Sequence, residues 1–289
     1  MVFLNGKLVP IEEAKVSVLD RGFIFGDGVY ELVPVYSRVA FRLDEHLTRL
    51  ERSLGEARIR NPYSRAQWRK LVYQLIDAQS FEDQGVYFQV TRGVAKRDHA
   101  FPANAEPTVF MMSNPLVAPP PSQVESGAPA VTAVDNRWLR CDIKSISLIG
   151  NVLLRQMSAQ AGAAETILFR DAKLTEASAS NVFVVRRGVI VSPPKSSLIL
   201  PGITYDVVTE LAQANGLPLE FGEVAESEVR AADEIWVTSS SKEVLAIVTL
   251  DGRKVGDGRP GPLFRRMYEL YQDFKRKVMR TGKREAISV

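Results

Sequence analysis

The sequence predicts an α+β protein in two domains, and three observations carry that expectation. From Asp44, "DEHLTRLERSLGEARI" puts Leu47, Leu50, Leu54 and Ala57 on one helical face. "GVYFQVTRGV" alternates with period two, Val86, Phe88 and Val90 facing one way and Tyr87, Gln89 and Thr91 the other. "NPLVAPPPSQ", residues 114 to 123, carries four prolines that stop any continuous helix or central strand. The domains are therefore expected at 1–115 and 123–289, joined by a proline-rich linker at 116–122.

In chain order, "KLVPIEEAKVSVLDRG" and "VYELVPVYSRVAFRL" read as short strands, with Arg38 near a hairpin turn. Asp44 is the expected N-cap of the first helix and Ser64 that of a second, in which Trp68, Leu71, Val72, Leu75 and Ile76 recur at helical spacing. Past the linker come a strand near "APAVTAVDNRWL" and a helix from Asn151 to about Ala161. Strands follow at "ETILFRD", "SNVFVV" and "VIVSP", then a helix after "PGIT", strands at "EIWVTSS" and "EVLAIVTLDG", and a closing helix, "LFRRMYELYQDFKRKV". Gly-bounded turns at 186 to 188 and 250 to 258 point to a largely antiparallel, barrel-like β core.

At 289 residues and 45% hydrophobic composition the chain can bury two moderate cores. No apolar run approaches the ~18 residues of a membrane span, and "MVFLNGKLVPIEEAKV" meets charge too early for a secretory signal, so a cytoplasmic location is expected. Cys141 is the single cysteine and histidines number two, which argues against disulfides and against a His- or Cys-rich metal site. The net charge of +3 is modest, and "FKRKVMRTGKR" at 274 to 284 reads as a solvated helix end rather than a nucleic-acid or membrane patch.

One residue stands out chemically. In "RWLRCDIKSISLIG", residues 137 to 150, Lys144 lies in an apolar run, where a lysine must snorkel, pair or give up its charge. A catalytic lysine needs a neutral amine, hence a pKa well below the free value of about 10.4. Spacing alone favours a snorkelling residue at a strand end.

Eight segments taken together change that reading: "DRGFIFGDGVYE" (20 to 31), "DEHLTRL" (44 to 50), "VYFQVTRG" (86 to 93), "RDHAFP" (97 to 102), "RWLRCDIKS" (137 to 145), "LTEASASNVF" (174 to 183), "LPGIT" (200 to 204) and "VTSSS" (237 to 241). In this order they resemble the fold-type IV pyridoxal-phosphate-dependent aminotransferases and, among them, the D-amino acid transaminases. The resemblance implies a smaller N-terminal α/β sandwich domain and a larger C-terminal domain that binds pyridoxal 5'-phosphate. It implies that Lys144 forms the Schiff base and shuttles the Cα proton, and that Glu176 partners the pyridine nitrogen. Ile203, Thr204, Ser240, the weaker candidate Ser239, and Arg49 match the phosphate site; Leu200 matches the residue packed on the cofactor ring. Without the resemblance, Arg49 lies off the leucine stripe and reads as a solvated helix arginine. Ala177 and Ala179 depart from the glycine- and serine-rich version of that block.

The resemblance also assigns Tyr30, Arg97 and His99 to the substrate carboxylate, with Arg97 and His99 reaching the neighbouring active site of a homodimer. Alternating positions on an extended segment let both side chains address one carboxylate. The implied reaction is ping-pong transfer from a D-amino acid to 2-oxoglutarate or pyruvate. Branched-chain L-transaminases, (R)-amine transaminases and aminodeoxychorismate lyases share the fold and stand as alternatives.

Overall fold

The structure is a computed structural model that describes residues 1–282 and 284. Its contacts group into two compact units, Met1–Val117 with Ile143–Leu148 and the segment from Val278, and Ala118–Asp142 with Ile149–Lys277. The first change of unit falls beside the proline-rich segment. The second departs from the expected boundaries: residues 143–148 do not stay with 123–289, because their main chain bonds to the first unit.

The first unit contains β1 (Val2–Leu4), β2 (Lys7–Val9), α1 (Arg21–Phe25), β3 (Gly28–Tyr36), β4 (Val39–Ala40), α2 (Leu43–Glu56), α3 (Arg65–Asp77), β5 (Gln84–Thr91) and β6 (Thr108–Pro115). Its six strands form one antiparallel sheet in the order β2-β1-β6-β5-β3-β4. Leu47, Leu50 and Leu54 of α2 and Trp68, Val72, Leu75 and Ile76 of α3 join Val29, Val33, Val86, Phe88 and Val90 of the sheet in one core. Each fully buried side chain of this kind contributes about 1.5–3 kcal/mol. Trp68 stacks on Phe88 with centroids 5.4 Å apart. Ser64 caps α3 in a capping box with Gln67. The N-cap of α2 is Arg42, at φ +50°, and Asp44 lies inside the first turn, where its charge still favours the helix dipole. The expected strand through 7–22 is shorter than its pattern: after Val9 come a 3-10 turn at Ile11–Glu13 and then α1. Val16 and Val18 are exposed.

The second unit contains α4 (Pro121–Ser126), β7 (Ala128–Val134), α5 (Ile149–Gln160), β8 (Glu165–Arg170), β9 (Lys173–Ala177), β10 (Asn181–Arg186), β11 (Val189–Ser192), α6 (Ile203–Ala214), β12 (Leu219–Phe221), α7 (Glu226–Arg230), β13 (Glu234–Ser239), β14 (Glu243–Leu250), β15 (Arg253–Lys254) and α8 (Pro262–Phe274). Strands run β12-β11-β10-β13-β14-β7-β8-β9, with β15 on β14, in a curled half-barrel sheet flanked by helices. The pairings β11/β12, β14/β7 and β7/β8 are parallel and the others antiparallel. Strand β9, which carries Glu176, is not among the strands expected from the sequence.

The basic segment after α8 is less solvated than its composition implies. It winds as a π-helix over Lys275–Met279, Lys275 bonds Glu243 at 2.5 Å, and Met279 is buried. Arg280 pairs with Asp83 and Arg284 with Asp77, while Lys283 lies outside the described residues. No described helix is long and apolar enough to cross a membrane.

Candidate active site

In the first unit, Lys144 is held by main-chain bonds along the edge of β3 that β4 leaves open. Tyr30 N donates to Lys144 O at 2.9 Å, Ile146 N to Gly28 O at 3.0 Å, and Lys144 N to Ser53 Oγ at 3.2 Å. Ser147 Oγ donates to Gly26 O at 2.8 Å, and a Cβ on Gly26, at φ +66°, would lie 2.7 Å from that same Oγ. Glycine is needed there on both counts. The Lys144 Nζ sits 4.2 Å from the centroid of the Tyr30 ring, and no carboxylate pairs with it among the described residues.

Strand β3 alternates faces, so Tyr30 and its neighbour Glu31 point oppositely. Glu31 is fully buried under α2 and accepts from Arg49 Nε and Nη2, each at 2.8 Å, and lies 2.8 Å from His46 Nδ1. Burial alone would push the Glu31 carboxyl up; Arg49 and His46 more than reverse this and hold it far below the ordinary carboxylate range. Burial pushes the His46 imidazole down, so the ring is neutral and donates through Nδ1, leaving His46 Nε2 buried without a hydrogen-bond partner among the described residues. Arg49 is therefore a buried, ion-paired arginine rather than a solvated one. Neither Glu31 nor His46 has a role in the sequence reading, although both stand inside quoted segments, since nothing local joins residues 15 positions apart.

Arg97 and His99 come together around one ring. The Arg97 guanidinium lies 5.3 Å from the Phe25 centroid, and the His99 ring lies 5.3 Å from it. No hydrogen bond, ion pair or ring contact links either of them to Tyr30 or Lys144 among the described residues.

In the second unit, Glu176 is 5% exposed and sits among donors: Arg137 Nη1 at 2.7 Å, Leu200 N at 3.0 Å and Asn181 Nδ2 at 3.2 Å. Burial nonetheless raises its pKa. Arg137 and the Leu200 amide offset that burial only in part; Arg137 also binds Asp135 through Nε and Nη2 at 2.9 and 3.0 Å, and Asp135 is held below the ordinary carboxylate range. Asn181 also donates to Leu200 O at 2.9 Å, and a Cβ on Gly202 would strike Asn181 Oδ1. The acid, Leu200 and the start of α6 are thus tied through one amide.

Gly202 caps α6 without a side-chain bond, so the first amides, at Ile203 and Thr204, have no side-chain acceptor among the described residues. Such a helix start favours an anion. Ser239 and Ser240 close β13 and its turn; Ser239 Oγ accepts from Lys242 N at 3.1 Å, and Ser240 Oγ makes no hydrogen bond among the described residues. Within the second unit, the open helix N-terminus, unbonded serine hydroxyl and buried acid suit an anionic, ring-bearing group; within the first, the Lys144 amine, unpaired with any carboxylate among the described residues, suits an aldehyde.

The family model described as amino-transferase class IV matches residues 28–250, and the chain belongs to that family. It is a pyridoxal-phosphate-dependent aminotransferase. It is 41% identical over 272 residues to the D-alanine aminotransferase of Bacillus licheniformis, covering 94% of this chain and 96% of that one. Identity to the D-alanine aminotransferase of Staphylococcus aureus strain MW2 is 39% over 274 residues, 94% and 97% of the two chains. Among solved structures, the branched-chain aminotransferase of Thermoproteus uzoniensis with norvaline matches with a TM-score of 0.85 and 28% identity over 94% of this chain and 93% of that one.

Proposed function

We propose that this enzyme transfers the amino group of D-amino acids to 2-oxo acids such as 2-oxoglutarate or pyruvate. The observation that carries the D-specific reading is the Arg97–Phe25–His99 cluster: two cationic or donor side chains held around one ring, suited to a single carboxylate. The identity to D-alanine aminotransferases supports it, whereas the branched-chain relatives share the fold at lower identity.

When bound, pyridoxal phosphate supplies an electron-withdrawing ring that accepts the electron pair left by the broken Cα–H bond. The Lys144 amine would hold the cofactor at its aldehyde carbon and would carry the substrate's Cα proton. Glu176 keeps the ring nitrogen protonated, and Leu200 packs against the ring. The phosphate is received by the amides of Ile203 and Thr204 and the Thr204, Ser239 and Ser240 hydroxyls, with Arg49 adding positive charge. Tyr30, Arg97 and His99 orient the substrate carboxylate.

Arg97 and His99 act in the site of a second copy of the chain. Exposed Phe23 and Val94 of the first unit, and Ile149, Val152, Leu153 and Met157 along α5, are apolar surface of the kind a homodimer buries. A cytoplasmic location accords with small diffusible substrates and a single cysteine.

The test pairs half-reactions with D-alanine and L-leucine, following the loss of the cofactor's visible band. D-alanine should bleach it far faster; faster bleaching by L-leucine overturns the D-specific reading. Borohydride reduction and peptide mapping should leave the cofactor mass on the peptide bearing Lys144, and label on any other lysine rejects the central assignment.

A further inference from the structure

The segment that carries Arg97 and His99 has no regular secondary structure, yet it is fastened from below. Arg21, only 4% exposed, points its guanidinium at three consecutive carbonyls: Nη1 donates to Asp98 O at 2.5 Å and Ala100 O at 3.4 Å, and Nη2 to His99 O at 3.5 Å. Its Nε is locked by Asp27 Oδ2 at 2.7 Å. Asp27 also takes Arg92 through Nε at 2.8 Å and Nη2 at 3.0 Å. Arg92 is anchored to Ala57 O at 2.8 Å and Arg58 O at 2.7 Å, and its guanidinium lies 3.7 Å from the centroid of the Phe101 ring. Burial pushes the Asp27 carboxyl up, but the bonds from Arg92 and Arg21 outweigh it and keep the group ionised.

The arrangement is a clamp on a clamp. One carboxylate fixes two guanidiniums, one gripping the main chain at 98–100 and the other stacking on the side chain at 101. Arg21 also lies 4.8 Å from the centroid of Phe25, the ring that Arg97 and His99 share. Main-chain carbonyls give no sequence-specific chemistry, so what this fastening supplies is direction for the two side chains on that strip of backbone.

We propose that Arg21, locked by Asp27 and braced by Arg92 on Phe101, is a positioning residue that sets the geometry of the Arg97/His99 carboxylate clamp and thereby the preference for carboxylate-bearing donors. The proposal rests on the reading that Arg97 and His99 hold the substrate carboxylate. A small misplacement of binding groups is enough to cost rate heavily.

The test uses full-length holoenzyme and compares kcat/KM for D-alanine with that for D-alaninamide, which lacks the negative charge. In Arg21→Lys the D-alanine to D-alaninamide ratio should fall roughly tenfold, through KM for D-alanine, with kcat on D-alaninamide and the cofactor's visible band retained. Phe101→Ala trims a side chain that is 55% exposed and leaves every charge paired, so it should fold and lower the ratio by a smaller factor. Arg97→Ala is the control. If it leaves the ratio unchanged, the clamp reading fails and the proposal falls with it. If Arg97→Ala lowers the ratio while Arg21→Lys and Phe101→Ala do not, the clamp stands and the positioning role is overturned. Should Arg21→Lys not fold, the outcome in Phe101→Ala decides: a lowered ratio supports the proposal and an unchanged ratio rejects it.

Discussion

Glu31 and Glu176 are both buried carboxylates bonded to an arginine, yet their proton affinities move in opposite directions. Glu31 receives a two-point fork from Arg49 together with a bond from His46. Glu176 receives one bond from an arginine that spends its other two on Asp135. An arginine's presence does not by itself determine ionisation; the balance between burial and the charges and bonds around each carboxylate does. Glu31 is thus held as an anion, whereas burial raises the proton affinity of Glu176.

The largest effect is expected from Lys144→Ala, which should lower D-alanine turnover by about 10³-fold or more while the thermal melt stays within a few degrees. Retained turnover would remove Lys144 from the chemistry. Next comes Glu31→Gln, which removes the buried anion that Arg49 and His46 both bond and should cost ~3–5 kcal/mol in urea unfolding at pH 7. A loss under about 1 kcal/mol would show that the Glu31 fork is not the fixed anion described above.

Glu176→Gln reverses that balance of effects. The amide oxygen can still accept from Leu200 N, so stability should fall by only ~1–2 kcal/mol, whereas turnover should drop roughly 100-fold. Equal stability losses in the two variants would erase the contrast between the sites.

The smallest effect is in the slope of stability with pH. Glu31 titrates below its ordinary 4.5 in the folded chain, so its contribution is full above 4.5 and lost as the pH falls beneath it. His46, lowered from 6.5, adds to the same trend, because below 6.5 the unfolded chain takes up a proton that the buried ring resists. Glu176, raised from 4.5, works the other way: the folded chain holds its proton longer, so this group costs stability as the pH rises above 4.5. Relative to the parent, Glu31→Gln should flatten the acid loss and Glu176→Gln should steepen it, measured as urea midpoints between about pH 4 and 7. Parallel curves would contradict the opposite shifts.

Much of the fold is visible in local pattern. The leucine stripe of α2, the capping box of α3 and the alternation of β5 each follow from a spacing shorter than a single element. The site-residue expectations rest on ordered motifs rather than on the residues' own surroundings: Lys144 alone reads as a snorkelling lysine and Arg49 as a solvated one. What escaped is the set of partners. Asp27 and Arg92 stand 65 residues apart, and Arg137 and Glu176 39 apart, so only strand pairing brings them within bonding distance. Strand β9 escaped because a lone Leu174 among polar neighbours gives no alternation, although β8 buries most of it. The N-cap at Arg42 escaped because a left-handed entry has no signature in a residue with a full side chain.

The excursion of Ile143–Leu148 has a consequence for biosynthesis. Ile143 belongs to the first unit's core, and Ser145 bridges Val29, so that unit cannot be finished when Val117 leaves the ribosome. Chains usually fold N-terminal region first as they emerge. Here the early sheet must wait with one edge of β3 open until the length of chain through residue 148 has been made. The strip that seals this edge is the one that carries the proposed cofactor-binding amine, so a nascent chain lacks Lys144 for as long as its first core lacks Ile143.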